Sequence, residues 1–148
     1  MRISAKGRYG LAAMINIAQH YDSGEYITVI SISEKLGISK IYLEQVFSLL
    51  KRGGLVTSVK GAQGGYQLTR TPGQITAYDV LCAVELTLFE NAEESISSKA
   101  CEIDTAMKTL VFDSLDAAVK ASLQKTTLTD LVSDAEKHKN EQGLMFYI

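Results

Sequence analysis

Residues 28–69 read TVISISEKLGISKIYLEQVFSLLKRGGLVTSVKGAQGGYQLT, and their pattern decides the fold. A helical run over residues 29–36 follows Thr28, a side chain suited to capping a helix N-terminus, and stops at Gly37. Ser39 is placed to cap a second helix over residues 40–51, with Ile41, Leu43, Val46, Phe47 and Leu50 as its apolar positions. Gly53 and Gly54 end that helix. Two helices joined by so short a glycine-containing turn predict a helix-turn-helix, the arrangement whose second helix enters a DNA major groove. Residues 55–59 and 66–69 then predict paired strands around a glycine-rich turn, which makes the motif a winged helix-turn-helix.

Charge divides the chain on either side of this motif. Residues 1–72 hold nine Lys or Arg against four Asp or Glu, a net of +5, whereas residues 73–148 hold six against thirteen, a net of −7. The overall charge of −2 therefore conceals a basic head joined to an acidic arm, as a DNA-reading domain on a separate dimerisation element requires. Two cysteines, Cys82 and Cys101, cannot frame a disulfide scaffold, and a reducing cytoplasm is expected. No run of about eighteen apolar residues predicts a membrane span, and no signal peptide is expected.

Working outward, residues 4–21 predict a helix with Leu11, Met14, Ile15 and Ala18 as its apolar stripe. Arg2, Lys6 and Arg8 crowd its first turns, where the helix dipole disfavours cations. An anion held there offsets that cost, so these side chains and Tyr9 are candidate phosphate contacts, with a solvated basic surface as the alternative. Thr76 and Asp79 have capping-box spacing for a helix to about residue 85, and Cys82 among Val80, Leu81 and Val84 reads as a buried apolar cysteine. Residues 86–98 read as an acidic loop. From about residue 99 a long helix carries Ile103, Met107, Leu110, Ser114, Ala117 and Ala121 as a heptad-like seam, with Val111, Leu115, Ala118 and Ser122 as an adjacent stripe. So wide an apolar arc needs two surfaces, expected to be the chain's own head and the same helix of a second copy. Thr126 or Thr127 caps a final helix, residues 137–143 read as a polar linker, and Met145, Phe146, Tyr147 and Ile148 form an apolar tail.

The fold class expected is mainly α, a winged helix-turn-helix DNA-binding domain with a two-stranded β wing and a long C-terminal dimerisation helix. Residues 1–85 form the DNA-binding domain. Residues 86–148 hold the acidic loop, dimerisation helix, final helix and tail. The predicted partner is double-stranded DNA with a pseudo-palindromic operator, bound by a homodimer. Gln45 suits a bidentate contact to adenine and Glu44 can accept from cytosine. Ser39, Lys40 and Tyr42 sit at the helix start, where base edges and phosphates are met first. Lys51, Arg52 and Lys60 are candidate phosphate contacts, although Lys51 and Arg52 would also be favourable cations at a helix C-terminus. Gly61, Gln63 and Gly64 give the wing a slim backbone for approach to phosphate or minor groove. No enzyme is expected: His20 and His138 are far apart in sequence, and residues 61–65 lack the lysine and hydroxyl of a P-loop.

These motifs together resemble the Rrf-two superfamily of winged-helix regulators. The resemblance is carried by residues 2–10 (RISAKGRYG), Ile38-Ser39 before Tyr42-Leu43-Glu44-Gln45, residues 53–56 (GGLV), and Val59-Lys60-Gly61 with Gly64-Gly65-Tyr66. It covers residues 1–85 densely and the dimerisation helix loosely. Sensors of the family hold an iron–sulfur cluster on three clustered cysteines before that helix; here the region offers Cys101 alone, so no cofactor is expected. The family's cysteine-metabolism repressors lack the triad and have a similar ending. That likeness implies repression of cysteine or sulfur genes, with O-acetylserine sulfhydrylase (cysteine synthase) as a partner of the tail. The alternative is a regulator of the same family responding to thiol oxidation at Cys101 or to an unknown small molecule.

Overall fold

Hydroxyl caps fix the helix starts in the structure, a computed structural model that describes residues 2–59, 64–90 and 98–147, the last three through their backbone only. Ser4 caps α1 (Ala5–Gln19), Thr28 caps α2 (Val29–Leu36) and Ser39 caps α3 (Lys40–Arg52), each side chain accepting from an amide of the first turn. The turn between α2 and α3 depends on Gly37, whose φ of 68° lies in the left-handed region. Strands β1 (Val56–Val59) and β2 (Gly65–Leu68) pair antiparallel, with Ser58 opposite Tyr66. Thr76 and Asp79 complete a capping box on α4 (Ala77–Val84).

One core serves the head. Phe47, Leu43, Val46 and Leu50 of α3, Met14 of α1, Ile32 of α2 and Val80 of α4 have no exposed surface. Burying each such side chain stabilises the fold by about 1.5–3 kcal/mol relative to exposure. Close approach of α1 to α4 rests on small residues: a Cβ added at Gly10 would meet both Val84 methyls at 3.1 and 3.2 Å. Ile27 adds a single bridge to the outer edge of β2, exchanging hydrogen bonds of 3.0 and 2.9 Å with Tyr66.

Beyond the head, α5 (Cys101–Met107), a π-helical turn (Lys108–Phe112) and α6 (Asp113–Gln124) follow one another without interruption. The π turn has a consequence for the expected seam. Its i→i+5 bonding holds one residue more than an α-helical turn, so faces beyond it shift by about one position. Leu115, Ala118 and Ser122 thereby line up with Ile103 and Leu110, and Ser114, Ala117 and Ala121 rotate to the side. The exposure pattern agrees: Met107, Val119 and Leu123 are half-buried, whereas Ile103, Leu110 and Leu115 are exposed.

The final helix, α7 (Leu128–Tyr147), is capped by Thr127 through a reciprocal pair of bonds with Asp130. Its first turn belongs to the head: Leu128 is fully buried, and its amide donates to the Ile75 carbonyl at 2.9 Å. Residues 137–143, expected as a linker, are helical throughout. Their polarity marks a solvated helix rather than a coil, and Gly143 is accommodated with nothing near its missing side chain. Two further expectations fail. Cys82 is exposed, on the outer face of α4. Ile41 is 73% exposed, because it lies two residues from Leu43 and so on the opposite side of α3.

Gly65 gives a direct test of this packing. A Cβ there would sit 2.8 Å from the Ile27 carbonyl oxygen, a backbone atom locked in the bridge to Tyr66. Gly65→Ala is expected to destabilise the protein by about 1–3 kcal/mol in urea unfolding. An unchanged midpoint would mean that the Ile27 bridge does not constrain the wing.

Candidate nucleic-acid interface

Helix α3 presents two faces. Leu43, Val46, Phe47 and Leu50 turn inward, leaving Ile41, Glu44, Gln45 and Ser48 exposed at three- and four-residue steps. Lys40 and Glu44 form an exposed pair at 3.9 Å, an i,i+4 contact worth a few tenths of a kcal/mol at most. Ser39 is committed to capping, its hydroxyl accepting from the Tyr42 amide at 3.2 Å. Tyr42 meets Tyr9 of α1 edge to face, ring centroids 5.3 Å apart, and both are half-buried. This contact ties the second turn of α1 to the first turn of α3, and Lys6 shares a shallow depression with Ile41, Glu44, Gln45 and Ser48.

The N-terminus of α1 already holds an anion. Glu85, just beyond α4, accepts from the Ser4 amide at 2.8 Å and from the Ser4 hydroxyl. A carboxylate there offsets the cations Arg2, Lys6 and Arg8 around the positive end of the helix dipole. Arg2 and Arg8 border a groove with Glu85, Thr87 and Leu88, and both remain exposed. Nothing in the local sequence around Ser4 signals Glu85, which arrives through the packing of α4 on α1.

At the other end of α3, Lys51 donates to the Ser58 hydroxyl at 2.8 Å and so fastens the helix to β1. Arg52 is exposed beside it. The Tyr66 ring stacks on Phe47 with centroids 4.3 Å apart. Burial first, and then the negative charge of Glu44, raise the Tyr66 phenol above its ordinary pKa. A groove of about 620 Å³ runs between α2, α3 and the wing, lined by Thr28, Ile30, Lys40, Glu44, Val59 and Gly64 among others. Lys60, Gly61 and Gln63, the rest of the expected wing tip, lie outside the described residues.

The arm exposes apolar side chains: Ile103 is 52% and Leu110 77% accessible, with Val111, Phe112 and Leu115 also exposed. Of the tail, the backbone of residues 145–147 continues α7, and Ile148 lies outside the described residues. An iron–sulfur cluster finds no fitting donor set. The sequence has two cysteines, and among the described residues no three His, Cys, Asp or Glu side chains group as metal ligands. No described helix is long and apolar enough to cross a membrane.

Comparison with known proteins matches this arrangement. CymR of Bacillus subtilis is 36% identical over 148 residues, the whole of both chains. IscR of Cronobacter sakazakii is 36% identical over 143 residues, covering 92% of this chain and 83% of the relative. The solved structure of B. subtilis CymR, described as the global cysteine regulator of that organism, superposes with a TM-score of 0.71 over 90% of this chain and 97% of its own. The Rrf2 model, described as an iron-dependent transcriptional regulator, matches residues 3–134, which takes in the head, the arm and the start of α7. A winged head, an exposed α3 face and a full-length match of this kind identify a DNA-binding transcriptional regulator and not an enzyme: the chain belongs to the Rrf2 family.

Proposed function

We propose that the chain is a homodimeric repressor of cysteine or sulfur metabolism genes that works without an iron–sulfur cluster. The observation that carries the cysteine assignment is a full-length likeness to CymR in a chain with only two cysteines, too few for a cluster held on three. Gln45 and Glu44 supply base contacts from the exposed face of α3, and Lys40 stands at its start. Lys6, Arg8, Tyr9, Arg2 and Arg52, with Lys60, Gly61, Gln63 and Gly64 of the wing, serve the phosphates. Lys51, bonded to Ser58, positions the wing and reaches phosphate only by leaving that bond. Gln45→Ala is expected to weaken binding to the specific operator by about 1–3 kcal/mol while leaving random DNA unaffected. Lys6→Ala is expected to weaken all sequences alike and lower the salt slope by about one unit per subunit. Equal losses on operator and random DNA for Gln45→Ala, in titrations at fixed salt, would remove it from base readout.

Residues 1–85 act as the reading head and the α5–α6 arm as the dimer contact, with Ile103, Leu110 and Leu115 at the centre of the seam. Met107, Ser114, Ala117 and Ala121 flank it. Five exposed large apolar side chains on one arm are a surface that a second copy would cover. Leu110→Glu is expected to sediment as a folded monomer and to lose operator binding, because one head contacts only a half-site. A dimer that persists at micromolar concentration would place the interface elsewhere.

Met145, Phe146, Tyr147 and Ile148 are proposed as the docking element for cysteine synthase, the enzyme acting as co-repressor. The apolar side chains of such a segment can fill a pocket of the enzyme while its main chain is held by backbone amides. Because α7 is helical to Tyr147, the tail is carried on a helix rather than on a tether, which limits its reach but also its loss of entropy on binding. Deleting Ile148 is expected to abolish enzyme binding, read by calorimetry, without lowering the melting temperature. Retained binding, or a fall of many degrees in melting temperature, would assign the tail to the chain's own packing.

A further inference from the structure

Ile41 has no role in the core. It is 73% exposed, the most exposed of the large apolar side chains described in the head. It is also the second residue of α3, in the first turn of the helix, and its neighbours on the exposed face are Glu44, Gln45 and Ser48. Lys6 closes the same shallow depression from α1. A branched apolar side chain surrounded by polar ones gains nothing from water, and at this position it gains nothing from the fold.

The position selects the partner. Base edges meet a recognition helix first at its N-terminal residues. The apolar group that those edges offer in the major groove is the thymine C5-methyl. The polar neighbours of Ile41 have donors and acceptors for the other groups on the groove floor. We infer that Ile41 packs against a thymine methyl in each half-site and thereby fixes one base pair of the operator that Gln45 and Glu44 do not read. The inference rests on the DNA-reading role of α3 proposed above. It extends that role to a residue whose chemistry is not hydrogen bonding.

The test separates the two. The full chain first selects its preferred site from random-sequence duplexes. Each thymine of that site is then replaced singly by uracil, which deletes the methyl and leaves the pairing edge intact. The wild-type protein is expected to lose about fourfold in affinity at one symmetry-related thymine, the worth of burying a single methyl group. Ile41→Ala is expected to bind thymine and uracil versions of that position equally, with unchanged melting temperature and unchanged affinity for random DNA. Ile41→Val, which retains the branch, is expected to keep most of the discrimination. If Ile41→Ala discriminates thymine from uracil as the wild type does, or if the wild type is indifferent to every such replacement, the inference is wrong while the reading head stands. Failure to enrich any sequence would remove the DNA-reading role and this inference together.

Discussion

Tyr66 holds the head in one piece. Its ring lies flat against Phe47, 4.3 Å away and at the centre of α3. Its backbone exchanges two hydrogen bonds with Ile27, just before α2, and it pairs with Ser58 across the wing. Ser58 in turn accepts from Lys51 at the end of α3. The lead into the first helix of the motif, the recognition helix and the wing therefore share one aromatic side chain and the main chain around it. A winged motif needs this because its separate contacts are small; the wing is a two-stranded hairpin, a structure with little stability of its own in water. Anchored to α3, it moves with the helix, so the phosphate contact proposed for the wing would keep its register with the base contact proposed for Gln45.

The arm is tied to the head where α6 runs into α7. Ile75 and Thr76 precede α4, and they meet Thr126, Thr127 and Leu128 across the Ala77-to-Thr126 and Leu128-to-Ile75 hydrogen bonds. Before those ties, α6 packs along α4, where Lys120 lies over the Tyr78 ring at 5.5 Å. α4 is also the element against which α1 and α3 close, through Gly7, Gly10 and Gly53. A shift of the arm would reach the recognition helix through α4, with few flexible side chains in between to absorb it. On the dimer proposed here, the packing of α6 on α4 would bear on the spacing of the two heads.

Most of this was legible in the sequence where a local rule was at work. Ser4, Thr28, Ser39 and Thr76 cap helices because their hydroxyls satisfy first-turn amides, an interaction spanning three residues and visible in three letters. What remained hidden depends on phase or on distant partners. Ile41 is apolar, but its position two residues before Leu43 sets it opposite the core, and counting hydrophobic letters obscured the angle. The π turn at Lys108–Phe112 leaves no mark in a pattern read at 3.6 residues per turn, and it rotates the side chains beyond it by about one position relative to an unbroken α-helix. Cys82 neighbours three buried residues in sequence yet faces outward on α4. Glu85 could not be assigned to Ser4 across 81 residues by any local signal. The solvated end of α7 shows the reverse case, a polar stretch whose helicity needs no buried face because α7 is already anchored at Leu128.

The composition of the exposed α3 face bears on how discrimination arises. On a helix that enters a groove lined by phosphates, Glu44 repels every sequence and Ile41 attracts none electrostatically. Glu44 thereby lowers the affinity for random DNA, and Ile41 leaves it unchanged. Specificity is the ratio of two affinities, so lowering the non-specific term raises it as surely as adding a contact does. The Lys40–Glu44 pair, exposed and 3.9 Å apart, is weak enough to part, which would free Lys40 and Glu44 for the phosphate and cytosine contacts proposed for them. On the readout proposed here, a wrong base would leave Glu44 facing an acceptor with no donor to satisfy it and Ile41 with nothing to bury. On this proposal the face would lose binding at mismatched sites, while the cations outside it, Lys6, Arg8 and Arg52, would supply attraction that any duplex can satisfy.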